Sequence, residues 1–168
     1  NWNNISGGLG VRIDNSDTVI FEKTIVSGNG KSGKTNSGGF IGFNSENVTI
    51  SDSEILLNPG YGIRLEDGCQ YAIISKNDIT GNSGDGIFVN NCSDTTIRDN
   101  KVDKNKNSGV KLNNALYPAI MNNRISSGSI GFSITNTMNM TLSDNVLSNN
   151  LIGFDISGTE LSHYNHQI

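Results

Sequence analysis

The feature that most constrains this chain is an internal repeat of about 23 residues. Four stretches share one shape: "IISKNDI" (Ile73–Ile79), "TIRDNKV" (Thr96–Val102), "AIMNNRI" (Ala119–Ile125) and "TLSDNVL" (Thr141–Leu147). In each, an aliphatic residue, an Asn three places on and a second aliphatic residue two places later recur. The first aliphatic position reads Ile20, Ile50, Ile74, Ile97, Ile120 and Leu142, with intervals of 30, 24, 23, 23 and 22 residues. The second reads Ile25, Ile55, Ile79, Val102, Ile125 and Leu147. Another signature, Gly followed by apolar-x-apolar, begins at Gly10, Gly62, Gly86, Gly109, Gly131 and Gly153, with an irregular copy at Gly39. A fixed period of this length is the mark of a solenoid.

Each repeat holds three short alternating segments, for example Ile87/Val89, Thr95/Ile97 and Val102. Alternation puts one face in and one face out, as in strands, and no 3.6-residue period competes. Such strands are too short to fold alone but can pair with copies of themselves. The reading is an all-β parallel β-helix, a single-stranded solenoid of about seven coils with three short strands per coil. At ~4.8 Å per coil it is roughly 33 Å long. Composition agrees: 34% hydrophobic, 17% charged, 20 Gly and 2 Pro suit short strands joined by tight turns. A net charge of −4 argues against nucleic acid, which demands a basic face. No apolar run approaches the ~18 residues of a membrane span. The chain reads as one domain over residues 1–168, with an irregular segment at 1–9, an insert at 27–39 and a partial cap at 158–168. It begins in polar sequence at Asn1 without Met, so part of a larger protein is expected.

The register predicts ladders. Three places after the first aliphatic position stand Lys23, Ser53, Asn77, Asn100, Asn123 and Asn145, and six places before it Asp14, Asn44, Gly68, Asn91, Asn114 and Asn136. Stacked Asn side chains can bond along the stack and satisfy turn backbone, so these are expected to be architecture. Cys69 and Cys92 share one register position with Asn15, Ser45, Ala115 and Thr137; two packed free thiols are expected rather than a bridge. The sequons at Asn4, Asn47, Asn91 and Asn139 arise readily in an Asn-rich repeat and are read as chance.

The "G-I-x-L" and "I-x-x-N-x-I" units, over nearly the whole chain, resemble the right-handed parallel β-helix repeats of the pectate-lyase-like superfamily. That superfamily includes polysaccharide lyases, alginate C5-epimerases, NosD-like proteins and phage tailspikes. The resemblance implies a right-handed coil and an extracellular, secreted or virion-surface module. Such a module would bind, and in a depolymerase cleave, surface polysaccharide. It also implies a homotrimer through the parent protein. The alternatives it leaves are a bacterial polysaccharide lyase or C5-epimerase, and a structural rod with no active site. Epimerases of this fold carry Asp-Pro-His-Asp; the nearest echo, "GFDIS" at Gly153 to Ser157, keeps Asp155 but lacks the Pro and His, so that activity is not carried over.

Residues between the apolar pair of each Gly signature point outward: Arg12, Arg64, Phe88, Lys111, Ser133 and Asp155. In the lyase-like families this sheet floors the saccharide groove. Arg64, Phe88, Lys111 and Asp155 are therefore the candidate substrate-binding residues, the cations for uronate carboxylates and Phe88 for a sugar face. Glu54 and Asp78 fall on adjacent coils, near the ~5 Å separation of a retaining glycosidase pair, and are the candidate catalytic pair. The competing reading is a charge ladder, because Lys101 and Arg124 follow in the same column. The insert "SGNGKSGKTNSGG" (Ser27–Gly39) is placed to wall a groove, whereas "ISSGS" (Ile125–Ser129) is expected to be a tight turn with no room for a site. No cofactor is expected and no metal site: calcium-binding nonapeptides and CxxC are absent, and His163 and His166 have no acid cluster beside them.

Overall fold

A computed structural model describes residues 3–6, 10–31 and 37–159. All regular elements among them are strands, and every strand pairing is parallel. The first sheet contains β2 (Val11–Asp14), β5 (Gly38–Phe43), β8 (Tyr61–Glu66), β11 (Ile87–Asn90), β14 (Ser108–Asn113), β17 (Ile130–Thr135) and β20 (Ile152–Ser157). The second contains β3 (Ile20–Glu22), β6 (Thr49–Ser51), β9 (Ile73–Ser75), β12 (Thr96–Arg98), β15 (Ala119–Met121) and β18 (Thr141–Ser143). The third contains β1 (Asn3–Ser6), β4 (Thr24–Ser27), β7 (Glu54–Leu56), β10 (Asp78–Thr80), β13 (Lys101–Asp103), β16 (Arg124–Ser126) and β19 (Val146–Ser148). The chain visits the sheets in rotation, which makes a three-sheet solenoid.

The repeat maps onto this plan with two corrections. The seven Gly signatures are the seven strands of the first sheet, not seven complete coils. Five regular turns run from β5 to β19, after a wider first turn. In that first turn the register is one residue later than the sequence suggested. Phe21, not Ile20, pairs with Ile50, and Val26, not Ile25, pairs with Ile55. Ile20 is 61% exposed, while Phe21 packs edge-to-face on Phe40 at 5.0 Å. Two adjacent apolar residues leave a period-2 pattern ambiguous by one place, and packing decides it. The same slip puts Thr24 rather than Lys23 beside Ser53, and Ser16 rather than Asn15 beside Ser45.

The core is a set of inward columns. Ile50, Ile74, Ile97, Ile120 and Leu142 stack on the second sheet; Ile55, Ile79, Val102 and Ile125 stack on the third; all are buried. Full burial of each such side chain stabilises by about 1.5–3 kcal/mol. The signature glycines exist because the chain turns inward there: a Cβ on Gly109 would lie 2.2 Å from Ile125 Cγ2.

Asn77, Asn100, Asn123 and Asn145 form the predicted ladder. Each Nδ2 donates to a main-chain carbonyl of the preceding coil at 2.9 Å, and those of Asn77, Asn100 and Asn123 also donate to the next Oδ1 at 2.9–3.0 Å. The other predicted Asn column is instead an exposed corner. Asn15, Asn44, Asp67, Asn91, Asn114 and Asn136 take positive φ of 43–53°. Gly68 is an extra residue behind Asp67 in that coil. Four such left-handed corners bend a turn; in one they are Asn91, Asp94, Asp99 and Lys104. That explains the abundance of Asn and Asp, which tolerate the conformation. Asp52, Asp99 and Asp144 are corners of this kind.

Candidate functional site

The outward column of the first sheet runs Arg12, Ile41, Arg64, Phe88, Lys111, Ser133, Asp155 in direct register. Two further outward columns flank it. One carries Glu66, Asn90 and Asn113. The other, immediately before the signature glycines, carries Tyr61, Asp85 and Ser108. Together they make a patch three coils tall, at ~4.8 Å per coil: Tyr61, Arg64 and Glu66; then Asp85, Phe88 and Asn90; then Ser108, Lys111 and Asn113.

The patch is tightly organised. Tyr61 and Phe88 stack at 5.5 Å with 18° between their planes. The Arg64 guanidinium lies 5.0 Å from the Tyr61 ring centre, and the Lys111 ammonium 5.5 Å from that of Phe88, within cation–π range. Arg64 Nη2 donates to Glu66 Oε2 at 2.5 Å, and both side chains are at most 10% exposed. Asn113 Nδ2 donates to Asn90 Oδ1 at 2.7 Å. Asp85 is 4% exposed and accepts the Ser108 N–H at 2.8 Å. Burial pushes the Asp85 carboxyl above the usual range, against the Ser108 hydrogen bond and the Lys111 charge. Burial likewise raises the Tyr61 phenol; Arg64 opposes this, and Asp85 and Glu66 reinforce it.

The sequence candidates separate. Arg64, Phe88 and Lys111 come together. Asp155 lies two coils beyond Lys111, past Ser133. Arg64 already has Glu66 as its counter-charge, and Phe88 already stacks on Tyr61. Among the described residues, Lys111 is then the cation in this patch without a carboxylate ion pair. Tyr61, Glu66 and Asp85 escaped the sequence reading. For Tyr61 and Asp85 the signal lay directly before the glycines, in the pairs Tyr61-Gly62, Asp85-Gly86 and Ser108-Gly109; Glu66 stands two places after Arg64 on the same strand.

Glu54 and Asp78 are register partners, as expected, but on the third sheet, away from this patch. Lys101 Nζ donates to Asp78 Oδ2 at 2.8 Å, Thr80 donates to its other oxygen, and Arg124 is the strand-register neighbour of Lys101 on the next coil. The hydrogen bond that Lys101 donates to Asp78, reinforced by the carboxylate charge, raises the Lys101 ammonium pKa. This is the arrangement of a charge ladder. A shallow hollow of about 390 Å³ beside it is lined by Lys23, Lys76, Ser53 and three acids, Asp52, Glu54 and Asp78.

Cys69 and Cys92 are buried free thiols on neighbouring coils. The neighbouring Cys92 thiol lowers the Cys69 thiol to about 7, despite burial, and the Cys92 thiol is raised; each sulfur donates to a main-chain carbonyl, Cys69 to Glu66 O at 3.3 Å and Cys92 to Asn90 O at 3.2 Å. Among the described residues no group of His, Cys, Asp and Glu is placed to hold a metal ion. His163 and His166, the middle of the insert (32–36) and most of the cap at 158–168 lie outside the described residues.

Residues 37–167 match the family described as right handed beta helix region, and the chain belongs to that family. None of the curated proteins matches it significantly. Among solved structures, a double mutant of the periplasmic alginate epimerase AlgG is similar at 18% identity and a TM-score of 0.77, over 91% of this chain and 37% of that one. The Azotobacter vinelandii mannuronan C-5 epimerase AlgE4 A-module is similar at 17% identity and 0.55, over 96% and 58%. The enzymatically active domain of bacteriophage CBA120 tailspike protein 2 is similar at 10% and 0.60, over 91% and 34%. The chain thus spans roughly a third to three-fifths of those chains. At these identities the likeness is one of fold.

Proposed function

We propose that this chain is the polysaccharide-binding part of a β-helix protein acting outside the cytoplasm. An extended acidic saccharide would lie along the solenoid axis over the first sheet. The observation that carries this reading is the patch around Phe88, where an aromatic pair, amides, a buried carboxyl and an ammonium share one flat face. Lys111 is the group best suited to a uronate carboxylate, since Arg64 is held by Glu66. Asn90 and Asn113 offer amide donors and acceptors to hydroxyls. Neighbours of the same fold named as alginate epimerases and a phage tailspike support a carbohydrate ligand.

A second reading adds chemistry to binding. Asp85 and Tyr61 are two titratable groups whose pKa values burial raises, beside the Lys111 cation. General acid–base work on a uronate, as in a lyase or C5-epimerase, needs such a set. The test is binding and turnover on a panel of alginate, polygalacturonate and capsular polysaccharides. Binding is expected to weaken about tenfold in Lys111→Ala. Unsaturated product absorbing in the ultraviolet, abolished in Tyr61→Phe, is the outcome for a lyase. Equal polysaccharide binding by wild type and Lys111→Ala overturns the assignment of the face.

A further inference from the structure

A second Asn ladder, unmarked in the sequence reading, runs through the turn from the third sheet to the first: Asn29, Asn58, Asn82, Asn105 and, beyond a gap, Asn150. The N–H of each of the first three donates to the next Oδ1 at 2.9–3.0 Å. The Nδ2 groups of Asn58 and Asn82 donate to that same oxygen at 2.9 Å. The fifth place is Gly128, which has no side-chain oxygen. Asn105 is only 2% exposed and its Nδ2 donates to Ile79 O at 2.9 Å. Its N–H and second Nδ2 hydrogen are left at the position where, on other rungs, two donors converge on one oxygen. The ladder resumes beyond the gap, with Gly128 N–H donating to Asn150 Oδ1 at 3.0 Å.

This coil is also one residue shorter here. Three positions separate Gly128 from Gly131, against four from Asn105 to Gly109. The stretch expected to leave no room instead borders a notch of about 560 Å³, lined by Asn105, Gly128, Lys104, Lys106, Ser127 and Ser129 among others. Among the described residues no carboxylate lines it. Asp103 sits 3.6 Å from the Lys104 ammonium and accepts the Ser126 hydroxyl.

We propose that the notch beside Gly128 is an oxyanion site, in which a carboxylate oxygen of an acidic saccharide takes the place of the missing Asn Oδ1. The Asn105 N–H and Nδ2–H would hold that oxygen, with Lys104 and Lys106 balancing its charge. The saccharide source rests on the proposed function; the anion chemistry does not.

The test is a titration of the isotope-labelled chain with sodium sulfate, with glucuronate and with glucose, following the Asn105 backbone and side-chain amide resonances. Both anions are expected to move these resonances saturably, and glucose to leave them in place. A Lys104→Ala/Lys106→Ala double variant, altered only at exposed side chains, is expected to bind both anions at least fivefold more weakly. Response to sulfate alone overturns the saccharide assignment. No response from Asn105, or an undiminished one in the double variant, overturns the site altogether. Neither result touches the first-sheet face, which is read separately through polysaccharide binding by Lys111→Ala.

Discussion

Replacing Asn100 with Ala tests whether the recurring Asn is architecture or chemistry. Asn100 Oδ1 accepts the Asn77 N–H and Asn77 Nδ2, both at 3.0 Å. Asn100 Nδ2 donates to Ile74 O at 2.9 Å and to Asn123 Oδ1 at 3.0 Å. The residue is 2% exposed, so water does not replace these partners in the folded state. Four hydrogen bonds at about 1 kcal/mol each, with a buried N–H and C=O left orphaned, amount to a loss of about 4 kcal/mol. With a urea dependence of about 2 kcal/mol per molar, the unfolding midpoint falls by about 2 M. Asn100→Ser is expected to recover part of this. At the equivalent place Ser53 Oγ accepts the Thr24 N–H at 3.1 Å and donates to Ser51 O at 2.7 Å. Urea denaturation followed by circular dichroism reads both variants. A loss below about 1 kcal/mol in Asn100→Ala, together with weakened polysaccharide binding, would refute the architectural reasoning.

Three further outcomes follow from particular contacts. The Thr95 hydroxyl is buried without a hydrogen-bond partner among the described residues, so Thr95→Val is expected to stabilise the fold by about 1 kcal/mol in the same assay. Gly109→Ala forces a Cβ to within 2.2 Å of Ile125 Cγ2 and 3.0 Å of Gly131 O; a loss of about 2 kcal/mol is expected, and unchanged stability would show that the coil yields. Asp85 has a raised pKa when folded, so the folded state holds this proton to higher pH than the unfolded chain. Stability associated with the neutral carboxyl is present below the unfolded value and is lost as pH rises through the folded one. Asp85→Asn, which retains an acceptor for the Ser108 N–H, is therefore expected to exceed wild type in stability near pH 7, with the two converging toward pH 4 and below. A gap independent of pH would contradict burial as the cause.

The all-β solenoid was legible because its information is periodic. A 22–24-residue spacing, an inward aliphatic column and an Asn three places on each demand the same stacking. Outward direction was legible too: alternation alone put Arg64, Phe88 and Lys111 on one face, and Glu54 beside Asp78. Registers at the irregular end were not, because Ile20 and Phe21 are both apolar and only contact with Phe40 chooses between them. The roles of outward residues were not legible either, since they depend on neighbours one coil away. Arg64 reads as a free cation until Glu66 is seen to hold it, and the sequence leaves Asp78 open between an acid pair with Glu54 and a charge ladder until the Lys101 ammonium is seen on its carboxylate. "TIRDNKV" shows the division within seven residues. Its sequence marks Asn100 as a rung, because that role repeats, and the structure adds that Asp99 is a corner. That Gly128 interrupts a second ladder and opens a notch was decided by tertiary structure alone, since an empty place has meaning only once the coils on either side of it are stacked.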